Sequence, residues 1–145
     1  MAIASPQTGQ VKTPAPTFVR PIHEGFPVKD AEVSLKFYTE VLGLKVLTYR
    51  PAALGTGYWV GTDDGIVQFH IIQSDKDFIP GPDAAIRPTG RHTAWYVDDI
   101  NALRSRLDDF GIEHSEINTL IGAVQLFCKD PDGHTWEFQQ VPAAQ

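Results

Sequence analysis

His23 opens the segment HEGFPVKD and His92 opens HTAWYVDD, so a histidine placed seven residues ahead of an aspartate is written twice in the chain. A second pair keeps step with the first: His70 in IVQFHII follows His23 at nearly the spacing at which Glu137 in GHTWEF follows His92. Imidazole nitrogens and a carboxylate suit one divalent first-row metal ion (Fe, Mn, Co, Ni or Zn) and suit calcium poorly, because calcium asks mostly for oxygen. Four such groups around an octahedral ion leave two positions for water or for two adjacent substrate oxygens. One carboxylate charge does not cancel the dication, so the centre stays positive. Such a centre stabilises the enediolate or related oxyanion that forms when a proton leaves a carbon beside a carbonyl. Isomerase, lyase and epimerase chemistry follow.

The elements that must carry these residues are legible from periodicity. Residues 22–28 suit a strand, and Asp30 can cap a helix with apolar Val33, Phe37, Val41 and Leu42 at helical spacing, ended by Gly43. Strand-like runs at 45–50, 57–62 and 65–73 complete βαβββ. The second half repeats the order: a strand at 92–97, a cap at Asp98 or Asp99, a helix carrying Ile100, Leu103, Leu107 and Phe110, a stop at Gly111, then strands at 112–117, 122–129 and 134–140. Asp130-Pro131-Asp132-Gly133 fits a type I turn between the last two. The expected organisation is a flexible tail over 1–20, a first module over 21–73, a polar linker over 74–90 and a second module over 91–141.

Alternation along a strand sorts the side chains. Val67, Phe69 and Ile71 share one face and Gln68 and His70 the other; Trp136 and Phe138 oppose Thr135, Glu137 and Gln139. Glu24 falls on the apolar face with Phe26 and Val28, near the strand's exposed start. Tyr96 and Phe127 have the parity to line a substrate cup, Trp95 and Trp136 belong to the core, and Cys128 reads as a small buried hydrophobe. His114 and His134 fall outside the repeat and read as surface residues.

Composition narrows the class. The 145 residues, 42% hydrophobic, can bury a real core, and 12 Lys and Arg against 18 Asp and Glu, net charge -6, disfavour nucleic acid or an anionic membrane as partner. A small-molecule substrate is the expected partner. One cysteine forms no intrachain disulfide, and no apolar run near the start is long enough for a signal peptide or a membrane span, so the expected location is cytoplasmic.

The ordered pieces HxxxxVxD, a helix with FYxxVLG, a second HxxxxVxD and a closing DPDGHTWEF resemble the vicinal oxygen chelate superfamily of glyoxalases, bleomycin-resistance proteins and extradiol dioxygenases. The resemblance spans about residues 20 to 140. It implies an α+β fold of two βαβββ modules whose curved mixed sheets form a metal-binding cup, with ligands at His23, His70, His92 and Glu137. It also implies Glu137 as a ligand that loosens to act as base. Any strand histidine taken singly is more often a satisfied polar residue, and His70 could instead stand beside the metal as an acid or base or as an outer donor. Modules in resembling proteins pair within one chain or across two, and a homodimer is the expected assembly.

Departures sort the branches. Bacterial glyoxalases resembling this chain hold glutathione with an arginine and an asparagine where Pro27 and Ser74 stand here, so the substrate is expected to be another carbonyl compound. The two histidines and glutamate also form the facial triad of a non-haem Fe(II) extradiol dioxygenase, the alternative reading. Phe127 replaces that signature's tyrosine, and Asn118, Thr119 and Leu120 stand where its upstream histidine is expected. A fosfomycin-type thiol transferase would place threonine at Gly25. A drug-binding resistance protein without a metal is the second alternative, and it has little use for four ligands at four ligand places. Selectivity is assigned to loops around Tyr58, Phe78 and 115–122.

Overall fold

The computed structural model of the chain describes residues 14, 16–17, 20–74, 79–119 and 122–142; Phe78, Leu120 and most of the expected tail lie outside them. Asp30 and Asp99 repeat one device: each sits in extended backbone and accepts from the two amides that open the following helix, at 2.9 and 3.2 Å in the first and 2.9 Å twice in the second. A cap of this kind is worth about 1 kcal/mol. The elements in order are β1 (His23–Val28), α1 (Ala31–Lys36) running on as a π-helical turn (Phe37–Val41), β2 (Lys45–Val46), β3 (Gly57–Gly61), β4 (Gln68–Gln73), β5 (His92–Val97), α2 (Ile100–Asp109), β6 (His114–Asn118), β7 (Val124–Lys129) and β8 (Thr135–Gln140). They form two four-stranded mixed sheets, ordered β1-β4-β3-β2 and β5-β8-β7-β6. In each sheet the first strand runs parallel to the last of its half.

Several expectations about local structure need correction, among them the strand expected over 65–73, which begins only at Gln68. The run 45–50 is a strand only over Lys45–Val46, because the chain then turns and Arg50 donates to Leu54 O and Gly55 O around a 3-10 turn at Ala52–Leu54. The buried face of α1 is also not the expected one. Val33 is 50% exposed, while Ser34 and Tyr38 are buried with Phe37 and Val41. Past Lys36 the helix widens into the π turn, where Leu42 N donates five residues back to Phe37 O at 3.1 Å and adjacent Phe37 and Tyr38 are both buried. In α2, Ile100 and Leu107 are buried as expected, but Phe110 is exposed and lies under the Arg106 guanidinium.

Both halves feed one core. Phe26 of β1 stacks on Trp136 of β8 with ring centroids at 5.5 Å, Phe69 of β4 meets Trp95 edge-on at 5.1 Å, and Tyr38 packs on Trp136. Arg106 of α2 donates to Val41 O at 2.7 Å, closing one helix end on the other half. A polar seam joins the halves as well. Asp132 accepts from Lys29 N and the Ser34 hydroxyl, both at 2.8 Å, and His134 Nε2 donates to Pro27 O at 2.8 Å. His134 and His114, expected at the surface, are each only partly exposed, the latter paired with Asp108 at 2.9 Å. Since the apolar faces of both sheets turn into this shared interior, strand alternation turns their other faces outward. The candidate ligands lie on those other faces, His23 exposed, His70 and His92 partly exposed and Glu137 buried.

Candidate functional site

On the first sheet, parallel pairing of β1 with β4 sets Gly25 opposite His70, so His23 and His70 emerge on the same face without a side chain between them. Their rings stack with centroids 3.9 Å apart and 11° between planes. Trp59 stands directly across from His70 in β3 and covers its other face at 4.2 Å and 8°, and Tyr49 meets Trp59 edge-on. Gln68 completes the group: its amide donates to Gly65 O at 3.1 Å, which turns its carbonyl oxygen to His70 Nε2 at 3.3 Å. The His70 imidazole is pulled down to about 4, first by burial and then by the charges of His23 and Arg50, so it is neutral at neutral pH. Face-to-face rings keep their nitrogen lone pairs in two nearly parallel planes. Binding one cation through both would therefore require one ring to turn.

On the second sheet the geometry is tighter. His92 Nε2 lies 2.8 Å from Glu137 Oε2, and His92 Nδ1 donates to Gly90 O at 2.8 Å. A backbone carbonyl behind the second ring nitrogen is the usual support of a metal-ligating histidine, because it fixes the ring's orientation. Glu137 is 4% exposed, and its Oε1 accepts from Gln125 Nε2 at 2.6 Å and Gln139 Nε2 at 2.7 Å. Phe127, opposite Glu137 in β7, is buried and meets the His92 ring edge-on, forming a floor under the pair. Tyr96, on the His92 side of β5, is 62% exposed. Two ligand atoms at right angles, each about 2.1 Å from an ion, stand about 3 Å apart. The His92–Glu137 separation matches that edge and equally a charge-assisted hydrogen bond, while an imidazole and a carboxylate are donor types that first-row ions accept.

The four expected ligands are thus brought together two by two. His23 and His92 line a common cleft of about 920 Å³ with Gln68, Ala94, Arg91 and Tyr96, whereas His70 and Glu137 do not border it. Among the described residues no three His, Cys, Asp or Glu side chains are grouped closely enough to hold one ion. Sequence reasoning missed Trp59, Gln68, Gln125 and Gln139. Gln68 and Gln139 lay within reach, each two positions from a candidate ligand on the same strand face. Trp59 and Gln125 come from other strands, and only the register brings them in.

The chain matches the family model of the Glyoxalase/Bleomycin resistance protein/Dioxygenase superfamily over residues 20–138. It is 29% identical over 126 residues to YwbC of Bacillus subtilis (strain 168), itself uncharacterized, covering 81% of this chain and 94% of that one. Among solved structures it is similar to TnmS3, an antibiotic binding protein from Streptomyces sp. CB03234, with TM-score 0.67, 20% identity and coverage of 88% of this chain and 100% of that one. It is likewise similar to lactoylglutathione lyase from Agrobacterium tumefaciens, with TM-score 0.61, 18% identity and coverage of 83% and 92%.

Proposed function

The chain belongs to the glyoxalase/bleomycin resistance protein/dioxygenase superfamily, and from that premise we propose that it is a divalent-metal-dependent lyase or isomerase acting on a small substrate with neighbouring oxygens. His92, Glu137 and His23 hold the ion, and His70 either joins them or serves beside them as acid or base. Since no three donors are grouped within one chain among the described residues, a second copy supplies the missing ligands. When bound, the dication acts as a Lewis acid on two adjacent substrate oxygens. The protein's share is to hold the donors, keep His70 neutral as a proton acceptor, and wall the cup with Tyr96; Phe127, expected at the cup's surface, is buried and instead underlies the His92–Glu137 pair. Proton removal beside the carbonyl falls to Glu137 or His70.

The observation that carries this reading is the His92–Glu137 pair, with Glu137 buried, His92 partly exposed and backed by Gly90 O, and the two spaced like two ligands of one ion. The antibiotic-binding reading draws on a different feature, the stack of Trp59, His70 and His23, which could receive a flat ring without any metal. One set of measurements separates them. The purified protein is reconstituted anaerobically with Fe(II), Mn(II), Co(II), Ni(II) or Zn(II), then assayed for metal content, mass in solution, isomerisation of α-keto hemithioacetals and oxygen uptake on catechols. One ion per site in a dimer, lost in His92→Ala, is expected. Oxygen uptake would move the assignment to the ring-cleaving dioxygenases, and a metal-free monomer would sink the enzymatic reading.

A further inference from the structure

The two oxygens of Glu137 have unequal surroundings. Among the described residues, Oε1 accepts from two side-chain amides, Gln125 at 2.6 Å and Gln139 at 2.7 Å, while Oε2 meets His92 Nε2 alone, at 2.8 Å. A carboxylate oxygen offers about two lone-pair directions, so among the described residues Oε1 is saturated and Oε2 keeps one direction open. From this we propose that Gln125 and Gln139 are positioning residues that lock Glu137 as a one-oxygen ligand, presenting Oε2 alone to the cation and holding the side chain in place through turnover. The inference rests on the metal reading above and sharpens it, because it takes from Glu137 the part of a ligand that swings off to collect a proton.

Three features support the lock. Gln125 and Gln139 are direct partners across the β7–β8 pairing and share the face of Glu137, so both amides reach one oxygen from neighbouring strands. Their orientation is set by chemistry, since turning either amide would press its carbonyl oxygen against a carboxylate. Hydrogen bonds to an ionised group are about twice as strong as neutral ones, and at 4% exposure water is poorly placed to replace a lost donor. The first sheet uses a matching device with opposite polarity: Gln68 stands two residues from His70 and offers it an amide oxygen, where Glu137 receives amide N–H groups.

The test uses the full chain and Co(II) as probe. Affinity is read by chelator competition, the ligand field by the cobalt visible bands, and the carboxylate mode by infrared difference between loaded and metal-free protein. Gln125→Met and Gln139→Met, on separate strands and each at a half-buried position, should weaken cobalt binding by about tenfold or more. They should also shift the visible bands and move the infrared carboxylate splitting toward two-oxygen binding, with circular dichroism unchanged. Wild-type affinity and spectra in both variants would overturn the lock and leave the metal reading standing. A wild-type protein that takes up no cobalt would overturn both.

Discussion

The Tyr38 hydroxyl donates to Asp130 Oδ2 at 2.6 Å, so a phenol from the first half's helical segment is tied to the turn between the last two strands of the second. Both groups are buried. The other oxygen of Asp130 accepts from its own turn, Asp132 N at 3.0 Å and His134 N at 2.9 Å. One aspartate therefore shapes the turn and anchors it across the junction.

Tyr38→Phe removes the cross-junction bond and leaves Asp130 Oδ2 buried without that donor. Losing a donor to a buried acceptor costs roughly 1–3 kcal/mol. Urea unfolding should show that loss with an unchanged slope, and a variant as stable as wild type would mean the bond contributes nothing.

Burial raises the Asp130 carboxyl above its usual range despite the nearby His134 and the Tyr38 hydrogen bond, with the charge of Asp132 acting in the same direction as burial. The folded state thus binds this proton more tightly than the unfolded chain. Its contribution to stability is fully present below the ordinary carboxylate value and declines as pH rises through the raised native value. Asp130→Asn keeps one acceptor oxygen for the turn and should flatten the stability profile above the ordinary carboxylate range. An identical pH dependence in the variant would assign the slope to another group.

Trp59 lies 4.2 Å from the His70 ring, a close tryptophan reporter for an ion bound there. Co(II) should quench its emission on binding, and Trp59→Phe should remove most of that quenching while leaving cobalt uptake intact. Quenching that survives the substitution would place the ion away from His70.

The Cys128 thiol is buried and pushed up to about 12, mainly by burial and further by the charge of Asp130. A thiolate at pH 8 is correspondingly scarce. The native protein should therefore resist a disulfide reagent such as Ellman's that reacts at once with the unfolded chain. Rapid labelling of folded protein would show that β7 opens readily.

Much of this architecture could be read from residue order. The duplicated histidine pattern marked the outer strand of each sheet, Asp30 and Asp99 marked the helix starts, and glycines at 43 and 111, both with positive φ, marked their ends. Periodicity failed where tertiary bonds outweighed it. Ser34 is buried because its hydroxyl reaches Asp132 in the other half, a partner 98 positions away that no local pattern contains. The candidate site divides the same way: strand parity put His70 and Glu137 on the correct faces, but the amides on Glu137 and the indole on His70 depend on cross-strand register. The relation between the two pairs was beyond parity altogether, since it follows from which faces the halves bury against each other.

Because Trp136 rests on Phe26 and Tyr38, and Arg106 grips the carbonyl of Val41, each half supplies part of the other's interior. In the joining peptide, Gly81 N donates to Asp132 O at 2.8 Å and Pro82 O accepts from Lys129 Nζ at 3.3 Å, so its described residues are fastened to the second half. Severed somewhere between residues 79 and 90, the two fragments would stay clasped, and fragments made separately would regain native order only when mixed.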